Sequence, residues 1–139
     1  MAPQPAITLV EDYGIVGDSH ARSGSRRQVL LIEMETLKHF SLSPGQVREN
    51  ITTMGLDLAA LGSGAVLRVN SAELELTIPC ETCSRLEEIR PGLEKHMMGR
   101  RGFLARVVKG GIVRVGDTMD VGSRAALGPA SADSSSVND

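Results

Sequence analysis

Two cysteines stand close together in the run Pro79-Cys80-Glu81-Thr82-Cys83-Ser84-Arg85. A thiolate there could act as a nucleophile or as a soft metal ligand. The run follows a strand-like segment and opens a helix predicted over Thr82–Ile89. Unpaired N–H groups and the dipole at such a helix start favour an anion, and Arg85 adds positive charge, so the thiolate form is stabilised. On spacing alone three readings stay open. Zinc needs four ligands, of which the pair supplies two, while His20, His39 and His96 are single and scattered. A thioredoxin-like redox pair fits the local strand, turn and helix but lacks a βαβ frame in the rest of the chain. Simple burial of the thiols, the common fate of free cysteine, is the third.

His20 lies on Gly17-Asp18-Ser19-His20-Ala21-Arg22-Ser23-Gly24, a polar, glycine-bounded stretch read as a loop. It could orient a ligand or exchange a proton near neutral pH, or serve as an ordinary surface histidine. Basic residues are skewed to twelve arginines against three lysines. The planar guanidinium fork matches phosphate or carboxylate, which makes Arg27, Arg85 and Arg101 candidates to hold an anionic group. GC-rich coding gives the same bias, and each arginine taken singly also reads as solvated surface charge.

The elements that must position these residues are short. Ala6–Val10 reads as a strand, interrupted by Gly14 to Gly17, and the apolar run Gln28–Ile32 as a buried strand. Glu33–Phe40 reads as a helix with Met34, Leu37 and Phe40 on one side, stopped by Ser43-Pro44-Gly45. Val47–Thr53 fits a strand and Leu56–Leu61 an apolar turn. Val66–Val69 and Glu73–Ile78 form a hairpin across Asn70-Ser71, with Leu74, Leu76 and Ile78 alternating against Glu73, Glu75 and Thr77. After the Thr82–Ile89 helix, with Glu87 and Glu88 on its wet face, Leu93–Met98 gives a further helical turn. Phe103–Lys109 and Ile112–Val115 read as a second hairpin about Gly110-Gly111, and Thr118–Val121 as a last strand. Strands dominate and connections are tight, so the expected class is mainly β: a β-barrel with a few short peripheral helices.

Composition narrows the function. At 139 residues and 41% hydrophobic content the chain supports one core. That domain is expected over residues 5–122, with the polar stretch 123–139 as a disordered tail that cannot offset its ordering entropy. A net charge of −2 does not suit phosphate neutralisation along DNA. Three aromatics (Tyr13, Phe40 and Phe103) give no base-stacking platform, so no nucleic-acid partner is expected. No run approaches the ~18 apolar residues of a membrane span, and Met1–Thr8 shows no secretory pattern. With only two cysteines, the reading is a cytoplasmic protein in a reducing compartment.

Five blocks in register resemble the MOSC domain family, the module named after the C-terminal part of molybdenum cofactor sulfurases. They are Gly17-Asp18-Ser19-His20-Ala21; Arg27-Gln28-Val29; Glu49-Asn50-Ile51-Thr52-Thr53 with Gly55-Leu56-Asp57-Leu58; Pro79-Cys80-Glu81-Thr82-Cys83-Ser84-Arg85-Leu86; and Arg101-Gly102 through Val108 with Gly111 to Asp117. Together they span roughly Thr8 to Val121. The resemblance implies a barrel of the MOSC type, similar to the β-barrel of pyruvate kinase. It also implies that Cys83 is the signature cysteine, which carries sulfur as a persulfide or, in reductase relatives, ligates molybdenum in the pterin cofactor. Cys80 is then dispensable, or a resolving thiol able to pair with Cys83. Asn50 and Thr52 would hydrogen-bond a pterin or its phosphate, unless they pair locally as ordinary strand side chains. Arg27, Arg85 and Arg101 would hold the phosphate.

The length leaves no room for the N-terminal barrel of reductase relatives or the pyridoxal-phosphate desulfurase domain of sulfurases, and no pyridoxal-phosphate lysine is recognisable. Sulfur would then come from a donor such as a cysteine desulfurase and pass to an acceptor metalloenzyme. The expected function is a sulfur carrier or molybdenum-cofactor-binding protein serving cofactor assembly. The alternatives are a small molybdenum-dependent reductase of N-hydroxylated compounds using external electron donors, and a non-catalytic β-barrel adaptor.

Overall fold

The computed structural model describes residues 5–82 and 84–122. Cys83 and the tail expected over 123–139 lie outside the described residues. The fold is mainly β and of the barrel type expected, with short helices at its periphery.

Strand β3 (Val29–Glu33) sits inside the larger of two sheets. Its residues 29–32 are all buried, because each face meets apolar matter. Val29 and Leu31 join Leu67, Leu74, Leu76 and Val107 in one core, while Ile32 joins Leu37, Leu42, Val47, Leu86, Leu93 and Met97 in a second. The second core holds the helices α1 (Met34–His39), α3 (Arg85–Ile89) and α4 (Leu93–His96). Among the described residues the larger sheet runs β4-β3-β7-β6-β5-β9, with β4 at Ile51–Thr53, β5 at Val66–Val69, β6 at Ala72–Pro79, β7 at Phe103–Lys109 and β9 at Asp120–Gly122. Among the described residues only the β3–β4 pair is parallel.

The β5–β6 hairpin is as expected. Ala72, Leu74 and Leu76 are fully buried, and the outward Glu75 pairs with Arg106 of β7 at 2.9 Å. Asn70 takes φ 55° in the turn, a left-handed conformation that asparagine tolerates.

The second predicted hairpin does not form. Strand β8 (Gly111–Arg114) pairs with β1 (Ala6–Val10) in a separate sheet ordered β2-β1-β8, where β2 is Gly14–Ile15. Gly110 and Gly111 make this change of sheet possible. A Cβ at Gly110 would sit 2.6 Å from the Leu9 carbonyl oxygen, and one at Gly111 would sit 2.5 Å from Ser71 Oγ. At Gly110 two backbones approach more closely than any side chain allows, and at Gly111 the Ser71 side chain fills the space.

Other expectations shift for local reasons. The Val47–Thr53 strand shrinks to β4, because Arg48 adopts φ 64° and the Glu49 carboxylate accepts the Gly45 N–H at 2.6 Å, making the preceding residues a turn. The Leu56–Leu61 turn contains a helical turn, α2 (Leu58–Leu61), capped by Asp57 accepting from the Ala60 N–H. Gly14, expected to break the pattern, pairs with Val10 in β2. The last strand starts at Asp120 rather than Thr118.

Asp117 clasps β8 to the β5–β6 turn. Its Oδ2 accepts the Arg114 N–H at 2.7 Å and Asn70 Nδ2–H at 2.7 Å. The backbone bond from Arg114, then that from Asn70, hold its carboxyl below the usual carboxylate range. A depressed folded pKa means stability that is present above the unfolded value and lost as pH falls through the folded one. The stability advantage of the wild type over Asp117→Asn is therefore full at neutral pH and shrinks as acid protonates the clasp. Melting temperatures of both proteins from neutral pH down through the carboxylate range check this; a pH-independent difference contradicts it.

Candidate functional site

The chain between β6 and α3 carries the cysteines. Cys80 follows Pro79 directly, and its N–H donates to the Gly102 carbonyl at 2.9 Å. Its sulfur lies 3.6 Å from the Glu81 carbonyl oxygen, and the residue is half-buried. The helix starts at Arg85, three residues later than expected, and is five residues long. Cys80 therefore belongs to the strand's exit and not to a helix start, so the dipole argument does not apply to it. Cys83 lies outside the described residues.

Pro79, before this segment, lines one cleft, and Arg85, after it, lines another. One, of about 780 Å³, is lined by Pro79 and Gly102 on the cysteine side and by Gly55, Asp57 and Arg100 elsewhere on its wall. The other, of about 240 Å³, is lined by Arg48, Arg85 and Arg101 together with Glu88. Arg101 is 7% exposed. Its Nη2 donates to the Val47 carbonyl at 2.7 Å, while Nε and Nη1 are buried without a partner among the described residues. The structure thus brings two of the predicted arginines, Arg85 and Arg101, to one cleft and adds Arg48. Arg27 is exposed, with its backbone N–H on Ser25 Oγ at 2.9 Å, and it lines neither cleft.

His20 and Asn50 meet through a residue that sequence reading passed over. The Asp18 carboxylate, 8% exposed, accepts the His20 N–H at 2.9 Å, faces His20 Nδ1 at 3.2 Å, and accepts Asn50 Nδ2–H at 3.1 Å. With Nδ1 as donor, Nε2 remains the ring's acceptor. Asn50 Oδ1 in turn accepts the Leu30 N–H at 2.8 Å. Thr52 donates to Glu49 Oε2 at 2.7 Å. Asn50 and Thr52 are thus engaged within the scaffold, where they hold the His20 loop and the turn before β4. The signal for Asp18 was present: an aspartate two residues before a histidine in a glycine-bounded loop is placed to accept that histidine's N–H.

Glu87, read as a wet helix position, is exposed but has a task. Its carboxylate accepts the N–H groups of Gly92 and Glu94, both at 2.9 Å, which bind α3 to α4 and lower its pKa. Among the described residues no cluster of three or more His, Cys, Asp or Glu side chains offers a metal site, and no helix is long and apolar enough to cross a membrane.

Comparisons with known proteins agree on fold. A solved structure titled as that of an hypothetical protein aligns with a TM-score of 0.73 at 18% identity, covering 89% of this chain and 64% of that one. YiiM from Escherichia coli aligns at 0.69 and 20% identity, covering 86% and 63%. The YuaD protein from Bacillus subtilis aligns at 0.70 and 23% identity, covering 86% of each chain. The chain spans a little under two thirds of the length of the first two. A search of curated proteins returns no significant match. The MOSC domain family model matches residues 18–120. Since that match takes in the His20 loop, β3, the cysteine segment and β7, the chain belongs to the MOSC domain family.

Proposed function

We propose that this protein is a thiol-based sulfur or cofactor carrier serving the assembly of metal–sulfur cofactors, with Cys83 as the working thiol. In the carrier reaction the Cys83 thiolate attacks the outer sulfur of a donor persulfide, and the donor's thiolate leaves. The partners are then a cysteine desulfurase as donor and a metalloenzyme as acceptor. His20, held by Asp18 through Nδ1, keeps Nε2 for a proton or a ligand.

The observation that carries this reading is the anchoring of Cys80. Its N–H donates to the carbonyl of Gly102, which with Pro79 lines the cleft of about 780 Å³ and directly follows Arg101 of the arginine-lined one. The larger volume lies within the ~300–1,000 Å³ of small-molecule and cofactor sites. The residues fit a molybdenum-pterin cofactor in one respect: Arg101 keeps buried, unspent N–H groups beside Arg85, suited to a phosphate. Such a cofactor would supply a redox-active metal, and Cys83 would be its soft ligand.

Mass and metal analysis of natively purified protein tests the reading. We expect added sulfur on Cys83, removable by reductant and lost in Cys83→Ser, or molybdenum lost in the same variant. Molybdenum without added sulfur favours the reductase of N-hydroxylated compounds over the sulfur carrier. If neither is present, both readings fail and the non-catalytic adaptor stands.

A further inference from the structure

The geometry points to the Arg48–Arg85–Arg101 cleft as a binding site for a tetrahedral oxyanion of the phosphate or sulfate class, able to take that ion by itself. A guanidinium has five N–H bonds. Arg101 spends Nη2 on the Val47 carbonyl, while the single N–H of Nε and the two of Nη1 have no partner among the described residues although both atoms are buried. A buried donor left unpaired is costly, more so when charged, so a native protein keeps such a group where something completes it. The bond to Val47 fixes the guanidinium in advance, which reduces the ordering cost of binding.

The surroundings select the charge and size of the guest. Three guanidinium groups line the cleft against one carboxylate, Glu88, and among the described residues none of these arginines forms an ion pair. Leu86 and Ile89 complete an apolar wall, where charge–charge attraction is screened less than in water. A volume of about 240 Å³ lies below the ~300–1,000 Å³ of drug- and cofactor-sized sites. That is room for a group of a few heavy atoms and its retained waters, and too little for a whole pterin. Donors arriving from three side chains call for acceptors that diverge, as the four oxygens of a tetrahedral ion do.

The inference deepens the cofactor reading, since the terminal phosphate of a pterin is one such group, but it does not need the cysteine chemistry. Calorimetric titration and melting curves with inorganic phosphate, sulfate and phenyl phosphate, each against chloride at equal ionic strength, test it. We expect binding and a raised melting temperature that chloride does not reproduce, with affinity reduced at least tenfold in Arg101→Met and several-fold in Arg85→Gln. Arg48 and Arg85 are exposed, so Arg48→Gln and Arg85→Gln carry the test if Arg101→Met does not fold. Binding of phosphate and sulfate identifies a site for the free ion; binding of phenyl phosphate alone identifies one for a phosphate monoester. Cys83→Ser should bind phosphate like the wild type, so loss of the persulfide reading leaves this one standing. It is overturned if no oxyanion acts beyond chloride, or if Arg48→Gln, Arg85→Gln and every folded Arg101 variant bind like the wild type.

Discussion

Gly102→Ala should destabilise the protein by about 3–5 kcal/mol, a large part of the roughly 5–15 kcal/mol that holds a domain together. Gly102 has φ 106°, outside the range a side chain accepts easily, and an added Cβ would lie 2.4 Å from the Leu31 carbonyl oxygen. That oxygen belongs to β3, which is hydrogen-bonded to a strand on each side and cannot move aside cheaply. The Ile32 side chain, 3.3 Å from the same point, blocks another exit. Conformational strain of about 1–3 kcal/mol and overpacking of similar size therefore add. Because Gly102 accepts the Cys80 N–H, the displacement also reaches the cysteine segment and the rim of the larger cleft. Gly99→Ala is the control. It shares a positive φ of 83° but has nothing within 4 Å of its added Cβ, so it should lose only about 1 kcal/mol. Urea midpoints of the two variants separate the causes. Equal losses would mean that the dihedral angle alone matters and that the close approach to β3 does not.

Features readable in the sequence were those written in neighbouring residues. The alternation from Glu73 to Ile78 specified a half-buried strand, and Leu74 and Leu76 are fully buried, while Ile78 near the strand's end is only half-buried. Within Gln28–Ile32, the four apolar residues from Val29 to Ile32 announced a buried strand because they offered no polar position for water, and they are buried in β3. Pairing partners were another matter. Gly110-Gly111 looks like a turn locally, and only the presence of β1 within reach makes it a crossing between sheets. The site shows the same division. His20, Asn50, Arg85 and Arg101 were visible as residue types, but the carboxylate joining the first two comes from Asp18, thirty-two positions from Asn50. Arg48 enters the arginine cleft from a turn that read as strand, and Arg27 stays outside it. Shared side-chain character groups these residues on paper, whereas the two cores and the β3 ladder decide which of them meet.

Asn50→Ala should cost about 2–4 kcal/mol and loosen the His20 loop while leaving the Arg101 cleft formed. Its Oδ1 is the acceptor for the N–H of Leu30, a residue only 5% exposed, so truncation leaves a buried donor unpaired. Its Nδ2 is one of the donors that hold the nearly buried Asp18 carboxylate, which would be left to His20. The two losses have different sources, and a cycle with Asp18→Ala separates them. If the Asp18–Asn50 contact matters, the double variant loses less than the sum of the single ones by roughly 1 kcal/mol or more. Asn50→Asp gives a second handle. It can still accept from Leu30 but sets a new carboxylate against Asp18, and two like charges at that distance cannot both stay ionised cheaply. Protonating either one relieves that repulsion. The loss in Asn50→Asp must therefore be greatest at neutral pH and diminish as pH falls, whereas that in Asn50→Ala lacks this carboxylate-pair recovery. Amide exchange at Leu30 reports the local event directly. Faster exchange in Asn50→Ala than in Asn50→Asp assigns the effect to the lost acceptor, and equal protection in both would show that the side chain does not hold β3 to the loop.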